Sequence, residues 1–231
     1  MIHQRATILA IALTVVTGAT DAISFLGLGS VFSSVMTGNL VLLGLSAGGP
    51  DGRLAMHVTI AIAGYVLGTV AGSRIAGPPA PGRPTWPRRV SVALLLEMLV
   101  YAGFLAGWET SGAHPSGEAQ AVVLAAAVLA MGMQSGAVRA VGIPGLSTTH
   151  LTGTLVAVLG ELATGRGWRW RNISILAGLL IGAAGGGALV AHAPAAAPVL
   201  PAGVLALVLV ASVPLMLRRS TPGRSTPDGS V

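Results

Sequence analysis

The sequence predicts an all-α, polytopic membrane protein with six transmembrane helices, two shorter re-entrant helical segments and an inverted internal repeat. Three observations carry this expectation. Of 231 residues, 53% are apolar and 9% are charged, whereas an ordinary soluble domain is about 25% charged. All 13 basic residues are arginines, and most sit in short gaps between apolar runs. Motifs of the first half return in the second at a nearly constant offset. A water-soluble chain of this size needs far more charge to cover its surface.

Taken in order, the apolar runs cover about 6–26, 31–48, 55–74, 90–108, 119–138, 146–163, 172–192 and 199–217. A crossing needs about 20 residues at 1.5 Å each to traverse about 30 Å of hydrocarbon. Six runs meet or approach that length. The second and sixth are shorter and open on polar residues, Ser33, Ser34, Thr37 and Asn39 in one and Ser147, Thr148, Thr149 and His150 in the other. Arginine placement separates two topologies. If those two runs dip in and return, Arg53 alone lies outside and the other twelve lie inside, as the positive-inside rule favours. Eight full crossings would spread the arginines over both sides. Both termini are then expected in the cytoplasm. Trp86, Trp168 and Trp170 are expected as anchors at the inner interface, and Trp108 at the outer one.

One membrane domain is expected over 1–219, with repeat one at about 6–108 and repeat two at about 119–217; the Ser/Thr/Pro/Gly-rich stretch 220–231 reads as a disordered cytoplasmic tail. Thr37-Gly38-Asn39-Leu40 matches Thr152-Gly153-Thr154-Leu155, and Gly64, Gly68 and Gly72 match Gly178, Gly182 and Gly186. Gly18 falls on Gly132 and Asp21 on Ser135 at the same spacing. Three crossings per unit is an odd number, so the second unit is upside down. Interrupted segments at corresponding places in inverted halves point to a transporter site near the midplane. Chance likeness between Gly-rich helices is the plain alternative. The glycine ladders themselves read as packing faces.

Candidate site residues follow from cost. Asp21 and Glu97 are the acidic residues well inside crossings, and a charge at the bilayer centre costs about 2.5–3.5 kcal/mol. Desolvation favours the neutral carboxyl, a property a proton-coupled carrier uses. Helix packing satisfied by hydroxyls or an arginine is the structural alternative. Thr37, Gly38 and Asn39, with Thr149, Thr152 and Gly153, bring polar groups and irregular backbone to membrane depth, tolerated there only inside protein or beside water. Gln134 occupies the place that Thr20 holds in the first half and is expected to line the same path. No catalytic, cofactor or metal site is expected: Cys is absent, no His pair shows ligand spacing, and Ser147 lacks the flanking glycine of a hydrolase.

Thr20-Asp21-Ala22-Ile23-Ser24-Phe25-Leu26, Val31-Phe32 and Met36-Thr37-Gly38-Asn39-Leu40 resemble the YoaK-like family. Met131-Gly132-Met133-Gln134 through Arg139, with Thr148-Thr149 and Thr152-Gly153-Thr154-Leu155, resemble its second signature. The resemblance implies a small, polytopic protein of the bacterial inner (cytoplasmic) membrane and supplies no activity. The expected function is transport or conduction of a small solute or ion through the lipid bilayer, with no enzymatic role and no nucleic-acid partner. The alternative is a non-transporting scaffold that binds lipid or a partner. Whether the chain forms a homo-oligomer stays open.

Overall fold

The computed structural model describes residues 2–49, 52–78, 86–142, 151–164 and 170–217. Among these, every regular element is helical: α1 Ile2–Gly27, α2 Met36–Ala47, α3 Gly52–Ala76, α4 Arg88–Thr110, α5 Gly117–Arg139, α6 Leu151–Ala163, α7 Trp170–His192, a 3₁₀ turn Pro194–Ala196 and α8 Val199–Leu217. Six are long and apolar enough to cross a bilayer, whereas α2 and α6 are short apolar helices. A 12-residue helix such as α2 is only about 18 Å long at 1.5 Å per residue. Outward-facing Leu67, Leu99, Leu180 and Leu207 suit lipid, not water. Residues 143–150, which include Thr149, and 218–231 lie outside the described residues.

Helix pairing repeats between the halves. The α3 helix lies along α5, and α7 lies along α1; α4 packs on α5 as α8 packs on α1; α2 rests on α3 and α6 on α7. The correspondence extends to single atoms. A Cβ on Gly18 would collide with Leu179 O and Ala183 N, and one on Gly132 with Tyr65 O and Thr69 N. Each of these positions is displaced by 114 from its counterpart. Gly68 and Gly72 close on Leu129 O and Met133 O, while Gly182 and Gly186 close on Val15 O and Ala19 O, again 114 apart. With no side chain at the contact, the two backbones of each pair meet directly.

These ladders push α1 and α5 to the middle of the bundle. Leu13, Val16, Ile23, Leu124, Met131 and Ala137 are all fully enclosed there. Two tryptophans depart from the expected interfacial role. Trp108 is buried, donates its indole N–H to Pro194 O at 2.9 Å and lies against Gly27, so it locks the ends of α1, α4 and α7 together. Trp86 is also buried and donates to Ser91 Oγ at 2.8 Å. Each ring finds a protein partner for its N–H, which lets it sit inside. Trp170 is exposed, and Trp168 lies outside the described residues.

Gly132→Ala should destabilise the detergent-purified protein by about 1–3 kcal/mol, the range for overpacking, or prevent its accumulation. Gly44→Ala meets nothing within 4 Å and should be neutral or stabilising by about 0.5–1 kcal/mol, as in an open helix interior. Thermal unfolding compares them; equal stability would remove the ladder as a structural constraint.

Candidate functional site

Helix α1 turns a polar stripe inward. Thr14, Thr17 and Thr20 recur every three residues, followed by Asp21 and Ser24, and all five are buried. Each threonine hydroxyl donates back along its own helix: Thr14 to Ile11 O at 2.7 Å, Thr17 to Leu13 O at 3.0 Å and Thr20 to Val16 O at 2.8 Å. Thr14 Oγ1 also lies 3.2 Å from Ile175 O on α7. Spending the hydrogen locally leaves the oxygens of Thr17 and Thr20 as acceptors toward the neighbouring helices.

The first polar cluster closes the end of α1. Asp21 Oδ1 accepts from Ser33 Oγ at 2.8 Å and from the Ser34 backbone N–H at 2.7 Å. Its Oδ2 accepts from Ser34 Oγ at 2.6 Å. The carboxylate thus meets three donors in place of an arginine. Asn39, on the first turn of α2, completes the clamp from the other side. Its Oδ1 accepts from Phe32 N–H at 3.0 Å, and its Nδ2 donates to Phe32 O at 2.7 Å. The non-helical stretch 31–35 is held between an acid and an amide. The chain enters it through a turn in which Gly29 has φ +91° beneath the His57 ring, a backbone shape glycine adopts without strain.

The second cluster lies deeper, where α1 meets α4 and α5. Gln134 Nε2 donates to Leu13 O at 3.2 Å and to Thr17 Oγ1 at 2.9 Å. Tyr101 OH bonds Thr20 Oγ1 and also approaches Met131 Sδ at 4.0 Å. Helix directions fix the levels. Gln120 near the start of α5 bonds Gly27 at the end of α1, so these two run antiparallel. Trp108 near the end of α4 also meets Gly27, so α1 and α4 run parallel. One turn back from the Thr20–Tyr101–Met131 level therefore come Thr17, Glu97 and Gln134. Glu97 is fully buried, and neither of its carboxyl oxygens has a hydrogen-bond partner; Gln134 Oε1 is likewise unpartnered.

The expected residues thus separate. Asp21 and Asn39 come together as a clamp, while Glu97 on α4 and Gln134 on α5 fall at one level of the bundle, each with an unpartnered oxygen. Thr37 and Gly153 are exposed and join neither cluster, whereas half-buried Gly38 lies beside Phe32 and Val35 of the clamped stretch. The Thr152 side chain and Thr149 lie outside the described residues. Ser33, Ser34, Thr17 and Tyr101 join the clusters without having been singled out as lining residues. The three-residue spacing of the threonines, and Tyr101 one turn beyond Glu97, were the available signals. Among the described residues no group of three His, Cys, Asp or Glu side chains is placed to hold a metal ion.

Asp21→Ala orphans Ser33 Oγ and two Ser34 donors, and Asn39→Leu orphans both Phe32 backbone groups. Each buried unpaired group costs about 1–3 kcal/mol, so both variants should melt well below the parent. Their double mutant should lose less than the sum, since both act on one loop. Thr37→Ala should shift stability by no more than about 0.5 kcal/mol. An Asp21→Ala protein as stable as the parent would contradict the clamp.

Residues 9–211 match the family described as "Protein of unknown function (DUF1275)". The UPF0700 transmembrane protein YoaK of Bacillus subtilis (strain 168) is 31% identical over 159 residues, which cover 69% of this chain and 68% of that relative. No solved structure matches the chain. The resemblance carried by the Asp21 and Thr37-Gly38-Asn39 motifs holds over most of the length. With six helices of spanning length and that family match, the chain is a multi-pass membrane protein belonging to the YoaK-like DUF1275 family.

Proposed function

We propose that the protein is a transporter or channel for a small solute or ion in the bacterial cytoplasmic membrane, with both termini cytoplasmic and no enzymatic reaction. The observation that carries this reading is a fully buried carboxyl on α4 and an amide oxygen on the adjoining α5, both unpartnered at one level of the bundle. Unpaired polar groups at membrane depth are costly, and function is the usual reason they persist. Inverted halves, each carrying a short helix, supply the architecture in which one half can rock against the other. Orientation rests on the arginines, all but Arg53 falling on one side.

The second reading, a membrane scaffold, draws support from the enclosure of every one of these groups in this conformation. The two readings differ in whether a solute moves. Purified protein in proteoliposomes, offered amino acids, sugars, organic anions, K⁺ and Na⁺ in turn, should pass one class above the rate of empty vesicles. The same class should raise the melting temperature, because a ligand that binds the native state stabilises it. Movement of none, with no thermal shift, favours the scaffold. Single cysteines report orientation in this Cys-free chain: Gly112→Cys should react with an impermeant thiol reagent in intact cells, and Gly82→Cys should not. The reverse pattern overturns the orientation.

A further inference from the structure

The central cluster has a deficit that can be counted atom by atom. Gln134 uses both amide hydrogens, one on Leu13 O and one on Thr17 Oγ1. Flipping the amide would set Oε1 against Leu13 O, acceptor against acceptor, so its orientation is fixed by the network. Thr17 gives its hydrogen to Leu13 O and has none left for Gln134 Oε1. Thr20 and Tyr101 share one hydrogen bond, and their other contacts are the acceptors Val16 O and Met131 Sδ, so neither hydroxyl has a hydrogen to spare. The hydroxyl hydrogens of Thr17, Thr20 and Tyr101 are therefore committed. What remains is three oxygens, two on Glu97 and one on Gln134, with no donor. Asp21 shows the opposite arrangement, a carboxyl already supplied with three donors.

One added hydrogen neutralises the carboxyl and pairs two of the three oxygens, leaving only the carbonyl oxygen of Glu97 without a donor. We propose that Glu97 and Gln134 form an intramembrane proton-binding site, in which Glu97 as a carboxylic acid donates its hydroxyl hydrogen to Gln134 Oε1, directly or across one water. The coupling ion of the transport reading is then the proton; only the word coupling rests on that reading, because binding does not require flux. A carboxylic acid has one donor to offer, and one amide acceptor waits at its level. An alkali cation fits less well. It would need several more oxygens, and the nearby helical carbonyls are already used within their helices.

The charged surroundings are sparse. On α1 Asp21 follows Thr20, which bonds Tyr101, and Tyr101 stands one turn from Glu97 on α4. Arg53 and His57 lie in the first two turns of α3 and Arg74 in its last, while Glu118 and Arg139 sit at opposite ends of α5. Residues 199–215 of α8 hold no titratable group. Arg5, Arg53, Arg74, Arg88, Arg89 and Arg139 on α1, α3, α4 and α5 are all exposed, so none of them turns toward the buried Glu97 carboxyl.

Infrared difference spectroscopy on the purified full chain tests the site, because a protonated carboxyl has a C=O band that an ionised one lacks. At neutral pH the parent should show such a band, shifting down in D₂O, and Glu97→Gln should lose it while Asp21→Asn keeps it. Gln134→Leu should move the band to higher frequency, since the acid loses its acceptor. This shift and the parent's D₂O response decide the matter even if Glu97→Gln fails to fold. A parent without the band, a band that survives Glu97→Gln, or one abolished by Na⁺ but not by choline would overturn the proposal. A Glu97-dependent band with no flux of any solute class leaves the site standing and sinks the transport reading. Flux without the band does the reverse.

Discussion

The backbone contact between α1 and α7, and its counterpart between α3 and α5, constrains the rest of the molecule. Lipid tails are as apolar as leucine, so burying hydrocarbon gives little drive to join helices inside a bilayer; close packing must supply it. Gly18, Gly182 and Gly186 on one side, and Gly68, Gly72 and Gly132 on the other, strip the contact to main chain. Both pairs use the same spacing. As a result α1 and α5 are drawn to the centre, and whatever polar groups they carry must meet one another or the flanking α4.

That geometry gives the two membrane carboxyls different parts. Asp21 sits near the end of α1, where the chain leaves the helix and Ser33 and Ser34 can turn back to it. Three donors satisfy it, and with Asn39 it holds the entry to α2 in place. Glu97 sits mid-helix, where neighbouring backbone is committed to its own ladder and can offer no donor. The acid closest to the conspicuous motif is therefore the one supplied with donors, and the isolated acid is the one without.

Much of this was legible in the chain. Hydropathic length, arginine placement and the recurring glycines specify six crossings, two short helices and the repeat, because each reports a backbone-scale constraint. Within Thr37-Gly38-Asn39 only Asn39 is buried; a short helix has two faces, and a motif of three does not say which one packs. Trp108 and Trp86 looked interfacial by their position, yet each found a buried acceptor for its N–H. The acceptor of Trp108 lies 86 positions away and leaves no local pattern, whereas that of Trp86 is Ser91, five residues on. The unpaired state of Glu97 is also invisible in sequence, since it depends on how Thr17 and Thr20 spend their hydrogens.

The central claim is that the crossing of α1, α4 and α5 is a working site and more than packing. Reactivity of Thr17→Cys in the otherwise thiol-free protein tests it most directly. Thr17 is buried beside Gln134, so a small hydrophilic thiol reagent reaches it only if the centre opens to water. The account predicts slow but complete modification in lipid vesicles, slowed further by whichever solute class binds. A folded Thr17→Cys protein that stays inert while Ser30→Cys reacts would contradict it, and the polar centre would then be a sealed structural feature.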